Sequence, residues 1–337
     1  MSLGVRLKKR TQMRSHRWRS VSPESRTVFG LLAKEFATLD RKYANSLPDL
    51  RSATTLLIGA DYSGEDGKAP YRVYSLLLTS MDAWAGWEPK RLQIREEYFS
   101  DSRRISFKKL SDRQRSRSLL PILTAANSLD GLVFSLAINK QCPSVFAARP
   151  PLDLGNPQFA AFRKWKPNVL EKAFLILHIS GLLVAGLAEP GQDLLWFTDQ
   201  DPIAANDQRV CELTQLFTWI SSFYLTFDMK HCRCGTSRCD SGTLQIEDLL
   251  AIPDLVAGAL SEQLTVRAND PAELTGVFWM HRGDFSEKTR NITWWLSDAS
   301  QPLKRLVCVV DPNQNGSAHL LSWYHFHNQE PIAEQLD

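Results

Sequence analysis

Residues 54–67 read Thr-Thr-Leu-Leu-Ile-Gly-Ala-Asp-Tyr-Ser-Gly-Glu-Asp-Gly, an apolar run that ends in an acidic, glycine-rich turn. A continuous apolar run is typical of a strand that is covered on both faces of its sheet. The turn residues predict a hairpin whose second strand spans residues 71–79. A third strand is expected near residues 104–110, and it would complete a meander.

Helical and strand patterns alternate along the rest of the chain. The spacing of apolar residues and the positions of proline predict helices over residues 22–47, 112–129, 167–187, 201–225 and 253–263. Further strands are expected at residues 131–139, 193–199, 306–310 and 319–326. This order predicts an α/β fold with a mixed central sheet of about five strands flanked by helices. We divide the chain into a basic flexible arm (1–21), a main domain with its N-terminal helix (22–265) and a C-terminal extension packed on the core (266–337).

The composition is that of a globular protein. The chain has 337 residues, of which 43% are hydrophobic and 23% charged, and these values exclude collagen-like, coiled-coil and wholly disordered classes. The longest uncharged apolar run, residues 173–188, is shorter than the ~18–20 residues that cross a bilayer, so no membrane partner is expected. Six cysteines are too few for a disulfide scaffold, and no secretory signal is evident. A cytoplasmic location is therefore predicted.

Positive charge is concentrated in two segments. Residues 1–20 contain seven Lys or Arg and no acidic residue, which leaves 33 basic and 37 acidic groups in the remainder. A second basic stretch spans residues 103–117. Each is either a solvated segment or a surface that holds nucleic-acid phosphates. Arg104, Lys108 and Lys109 are the candidate substrate contacts.

Three aspartates stand at the ends of predicted core elements. Asp61 and Asp199 end apolar strands, and Asp254 follows Pro253 in what is expected to be the first turn of a helix. Carboxylates at the ends of neighbouring strands lie about 5 Å apart. They can then hold one or two Mg²⁺ or Mn²⁺ ions, which activate water for phosphodiester hydrolysis.

Each of these acids also has a purely structural interpretation. Asp61 is equally suited to shaping a turn. Asp201 is suited to capping a helix or, two residues after Asp199, to sharing the metal site as a fourth ligand. Asp254 is suited to complementing the helix dipole.

Four segments together resemble the domain-of-unknown-function 3800 proteins, over roughly residues 54–262. The matching segments are Asp61-Tyr62-Ser63-Gly64, Ser106-Phe107-Lys108, Asp199 with Asp201, and Ile252-Pro253-Asp254-Leu255-Val256-Ala257-Gly258. The resemblance implies an RNase H-like fold. It also implies that Asp61, Asp199 and Asp254 are catalytic metal ligands, and that Lys108 contacts phosphate.

The chain departs from that family pattern at two positions. Tyr62 stands where the family has Glu, and Ser106 stands where a site carboxylate is expected. Glu65, Asp66 or the pair Glu247-Asp248 are candidates to compensate. Two functions therefore stay open: a metal-dependent nuclease-like phosphodiester hydrolase, or an inactive nucleic-acid-binding or scaffolding subunit. The sequence does not distinguish DNA from RNA, or a monomer from a homo-oligomer or a larger complex.

A cysteine-rich segment, which we expect to be a loop, is a candidate zinc site separate from the acidic residues. Thiolate and imidazole are the ligands that tetrahedral zinc prefers. The candidate structural zinc ligands are His231, Cys232, Cys234 and Cys239. Their spacing differs from paired CxxC knuckles, so free thiols in a reducing cytoplasm are the alternative. Phosphate-binding P-loop, dinucleotide-binding and hydrolase-elbow motifs are absent from the sequence.

Overall fold

The computed structural model describes most of the chain. The described residues are 16–19, 21, 27–43, 45–99, 102–146, 151–269, 277–279, 284–313, 315 and 319–327. Most of the predicted basic arm lies outside them.

A mixed β-sheet forms the centre of the fold. Its strands are β1 (Thr55–Ser63), β2 (Tyr71–Ser80), β3 (Gly131–Asn139), β4 (Asp193–Thr198), β5 (His231–Thr236), β6 (Val277–Trp279), β7 (Leu303–Pro312) and β8 (His319–His327). They form an eight-stranded sheet in the order β5-β4-β1-β2-β3-β7-β8-β6. Strands β1, β2 and β3 run antiparallel, whereas β4 is parallel to β1 and β5 is parallel to β4.

Helices cover both faces of this sheet. They are α1 (Val28–Lys42), α2 (Met81–Tyr98), α3 (Arg113–Ala126), α4 (Pro167–Leu187), α5 (Asp207–Ser221), α6 (Gln245–Ala268) and α7 (Glu287–Ser297). Helices α1, α4 and α5 contribute to the apolar core on one face, and α2, α3, α6 and α7 to the core on the other. The apolar run of β1 follows from this arrangement, because Leu56, Leu57 and Ile58 are each 0% exposed in the middle of a doubly covered sheet.

Two of the helices are apolar enough to be compared with membrane spans. By length and composition alone, α4 and α6 could each cross a bilayer. Most of their apolar windows, 78% and 72% respectively, are buried inside the fold. Core helices of soluble proteins have the same properties, so these helices are weak evidence for a membrane protein.

Several predicted elements differ from the structure. The sheet has eight strands rather than about five, because β7 from the C-terminal segment pairs in parallel with β3 and extends the sheet. Residues 104–110 contain a 3-10 turn, Phe107–Lys109, instead of a third strand, and β3 takes that place beside β2. Helix α5 begins at Asp207 after its cap Asn206, so the Asp201-Pro202 pair does not start it.

Candidate active site

Two of the three aspartates emerge side by side from the centre of the sheet. Strands β1 and β4 are parallel neighbours, and their last paired residues are Ala60 and Thr198. Asp61 and Asp199 directly follow that pair, at a strand separation of about 4.8 Å. The strand pairing therefore brings together two acids that are far apart in sequence.

Helix α6 crosses the face of the sheet onto which Asp61 projects. A Cβ atom at Gly59 would lie 3.4 Å from Cδ2 of Leu250, so the helix approaches β1 closely at this point. Side chains alternate along a strand, and Asp61 therefore lies on the same face as Gly59. Asp254 is carried by this helix, and its Oδ2 accepts a hydrogen bond of 2.6 Å from the backbone N–H of Phe107.

Asp254 lies in the middle of α6 rather than in the first turn. The helix begins at Gln245, where Asp240 accepts hydrogen bonds from the N–H groups of Ile246 (2.9 Å) and Glu247 (3.3 Å). Pro253 is an interior residue of this helix. The sequence pattern predicts a helix start here because proline favours the first turn, whereas in the structure Pro253 lies inside the helix and cannot donate a hydrogen bond to the preceding turn.

Four carboxylates share one cavity of about 330 Å³. To Asp61, Asp199 and Asp254 the structure adds Glu247, which precedes Asp254 by two turns on α6. The cavity is lined by Asp61, Tyr62, Ser63, Arg104, Ile105, Ser106, Phe107, Lys108, Lys109, Asp199, Glu247, Leu250, Ala251, Asp254 and Gly258. The carboxylates thus come from β1, from the end of β4 and from one face of α6.

Burial makes Asp61, Glu247 and Asp254 difficult to ionise, and neighbouring carboxylates add to the effect. Burial raises the pKa of Asp61 well above its usual value, and the charges of Asp254 and then Asp199 raise it further. Burial raises the pKa of Asp254 to about 6, against the opposing effects of the Phe107 N–H and Lys108. The pKa of Glu247 is also raised by burial. A bound cation would relieve this unfavourable charge.

The rim of the cavity is basic. Arg104, Lys108 and Lys109, the candidate substrate contacts, line it, and all three are exposed. Arg104 pairs with Glu247 at 2.8 Å. Elsewhere in the basic stretch the charges are engaged locally, since Arg103 pairs with Asp112 at 3.0 Å.

Asp201 lies outside this cavity, in an ion-pair network beside Tyr62. Its Oδ2 is 2.7 Å from Nζ of Lys172, which also pairs with Glu65 at 2.7 Å. The same ammonium group stands 4.4 Å from the centre of the Tyr62 ring. Asp201 also accepts a hydrogen bond of 3.0 Å from the N–H of Ile203, which shapes the turn after β4.

Glu247, and not Asp201, is the fourth carboxylate that lines the cavity. The sequence analysis predicts Glu247 only as one of several acids that could compensate for Ser106. Its spacing from Asp254 is the signal that points to it, because residues seven apart lie on one face of a helix. The neighbouring Asp248 points away, into a buried cluster where its Oδ2 accepts hydrogen bonds from Arg91 at 2.8 Å and Arg95 at 2.6 Å.

The predicted cysteine-rich loop is largely the edge strand β5. Cys232 and Cys234 pack on the core that includes α5, and burial raises the pKa of the Cys232 thiol to about 11. Cys239 lies near the opposite face, where its Sγ is 3.2 Å from the position of a Cβ on Gly235. The strand therefore separates the thiols that were proposed to bind one zinc ion. The zinc expectation remains untested.

Within the described parts of the chain, no three His, Cys, Asp or Glu side chains are gathered as ligands of one metal ion. In the acidic cavity, separate hydrogen bonds hold the carboxylates: Asp199 accepts from Ser237 at 3.0 Å, and Asp254 accepts from Phe107. The chemistry of this donor set nevertheless fits a hard divalent cation, which prefers carboxylate oxygens.

Comparisons with known proteins do not assign an activity to this chain. No protein-family model and no curated protein sequence matches the chain. Among solved structures, the chain has a weak similarity to the ribonuclease H2 from Pyrococcus horikoshii OT3, with a TM-score of 0.35 and 13% sequence identity. The match covers 72% of this chain and 86% of that chain.

Proposed function

We propose that this protein is a divalent-cation-dependent hydrolase that cuts phosphodiester bonds in nucleic acid. The observation that carries the proposal is the acidic cavity, which Asp61, Asp199, Glu247 and Asp254 line together beside a rim of exposed basic side chains. Clustered carboxylates can bind divalent metal ions, and these ions together with a basic rim can bind the phosphates of a nucleic-acid substrate.

We also propose that the fold is RNase H-like. The strands of the predicted main domain form one contiguous block of the sheet, in the order β5-β4-β1-β2-β3. The family resemblance of the sequence supports this proposal, and the strands beyond β3 come from the C-terminal segment. The acids emerge from the middle of the block, between β1 and β4.

The residues of the cavity have separate roles in this proposal. Asp61, Asp199 and Asp254 would hold Mg²⁺ or Mn²⁺, with Glu247 as the fourth carboxylate. When bound, such a cation supplies activation of water and stabilisation of the leaving oxygen. Lys108 and Lys109 would hold the nucleic-acid backbone near the acids, because exposed ammonium groups bind phosphates without reading the bases.

The test is cleavage of labelled single- and double-stranded DNA and RNA with Mg²⁺ or Mn²⁺. Asp61→Asn and Glu247→Gln should each abolish product formation, because each removes a carboxylate from the cavity. Asp201→Asn is the matched control and should retain most activity, because this residue belongs to the Lys172 network. Metal-dependent cleavage that survives in Asp61→Asn would refute the assignment.

One observation favours the alternative of an inactive binding or scaffolding subunit. Ser106 lines the cavity at the position where the resemblance implies a carboxylate. Calorimetry with Mn²⁺ separates the two functions. A heat of binding that is lost in Asp61→Asn supports the hydrolase, whereas no binding together with oligonucleotide retention at low salt supports the inactive subunit.

A further inference from the structure

Charged groups hold both backbone polar groups of Phe107, its N–H and its carbonyl. Its N–H donates to Asp254 at 2.6 Å, and its carbonyl oxygen accepts a hydrogen bond of 2.9 Å from Nζ of Lys288. The Lys288 ammonium also stands 3.9 Å from the centre of the Phe107 ring. Lys288 belongs to α7, in the C-terminal segment, and is distant in sequence from every predicted site residue.

One face of α6 organises these contacts. Asp254, Gly258 and Glu262 are spaced four residues apart, so they lie along a single stripe of the helix. Gly258 leaves room for the Phe107 ring, whose Cγ would be only 2.2 Å from an added Cβ. Glu262 accepts hydrogen bonds from the N–H (2.7 Å) and the hydroxyl (3.0 Å) of Ser286. Ser286 caps the N-terminus of α7 and so fixes where that helix begins.

The residues held in this way carry the basic rim of the cavity. Phe107 starts the 3-10 turn that continues with Lys108 and Lys109. Both lysines are exposed, and they lie on this short turn rather than on an α-helix or a strand. The orientation of Lys108 and Lys109 therefore depends on how firmly the backbone of Phe107 is held.

We propose that Lys288 is a positioning residue of the active site: it fixes the Phe107–Lys109 turn so that Lys108 and Lys109 face the phosphates of a bound strand. The part that concerns the substrate rests on the proposed function. The part that concerns the turn does not, because it follows from the contacts of Lys288. On this proposal the C-terminal segment completes the binding rim of the acidic cavity.

The first measurement is amide hydrogen exchange of the metal-free full chain over residues 105–110. Lys288→Met keeps most of the side-chain bulk and removes the ammonium, so exchange there should accelerate, whereas Lys288→Arg should behave like the wild type. Lys304→Met is the matched control, since Lys304 also donates to a backbone carbonyl at 2.9 Å, but to that of Gln301 rather than to the Phe107–Lys109 turn. Unchanged exchange in Lys288→Met would overturn the proposal.

The second measurement is binding of a fluorescent 20-mer oligonucleotide in EDTA at several salt concentrations. In the wild-type background, Lys108→Ala should reduce the slope of log Kd against log salt by about 1. In the Lys288→Met background the same change should reduce it by less than about 0.5, because Lys108 is no longer held toward the strand. Equal effects in both backgrounds would mean that Lys288 does not position Lys108.

The two measurements test the two proposals independently. A wild-type protein that binds no oligonucleotide would count against the proposed function, whereas the exchange data would still decide whether Lys288 holds the turn.

Discussion

Replacing Gly258 with alanine should destabilise the protein, although alanine is the better helix former. An added Cβ would lie 2.2 Å from Cγ and 2.7 Å from Cβ of Phe107. Carbon atoms in contact are normally about 3.5–4.0 Å apart, so Phe107 would have to retreat by roughly 1–2 Å. Its Cβ is attached directly to the backbone, and the Phe107–Lys109 turn must therefore move with it.

The expected cost combines three effects. Overpacking a core contact costs about 1–3 kcal/mol. Movement of the turn stretches the 2.6 Å hydrogen bond from Phe107 to Asp254, and losing a bond to a charged acceptor costs about 1.5–3 kcal/mol. The helix propensity of alanine returns about 1 kcal/mol. The net loss in unfolding free energy should be about 3 kcal/mol.

Urea unfolding followed by tryptophan fluorescence and circular dichroism measures this loss. Gly86→Ala in α2 is the matched control, because a Cβ there meets no heavy atom within 4 Å, and it should gain up to about 1 kcal/mol. If Gly258→Ala unfolds at the wild-type urea concentration or above, the contact between Phe107 and α6 is wrong. Cleavage should fall in the same variant, since the turn carries the basic rim.

Two further predictions concern charged groups. Burial, and then the neighbouring carboxylates, raise the pKa of Asp61, so its ionised form opposes folding at pH 7. Asp61→Asn should therefore raise the urea midpoint at pH 7.5. The gain should shrink as the pH falls toward 4, because the wild-type carboxyl is then protonated. A lower midpoint of the variant at pH 7.5 would contradict this prediction. Asp248→Ala should cost about 3–5 kcal/mol in the same assay, because the buried Arg95 loses its carboxylate partner and the buried Arg91 keeps only Glu88. Asp112→Ala, at the half-buried cap of α3, should cost only about 1 kcal/mol, and equal losses at both positions would refute the buried-cluster argument.

The strands that carry the acids could be predicted from local sequence. The run before Asp61 is apolar on both faces because β1 is the middle of a covered sheet, and the strand before Asp199 has the same property. Helix α2 was not predicted. Its inward-facing residues include Arg91 and Arg95, so it lacks the apolar stripe by which an amphipathic helix is recognised.

The site was only partly predictable for a related reason. Glu247 belongs to a helical turn whose start is marked by Asp240, and the edge strand before it resembles a loop because its side chains alternate between exposed and half-buried. The role of Lys288 depends on a hydrogen bond to a carbonyl 181 residues away in sequence. No local pattern marks such a contact.

Local residue patterns predict the alternation of helices and strands, the apolar core strands and the acids at their ends, because these depend on the burial of neighbouring residues. The packing of the fold places Glu247 rather than Asp201 in the acidic cavity and brings Lys288 of α7 to Phe107. Those choices depend on which helix packs on which strand, and packing is a property of residues that are distant in the chain.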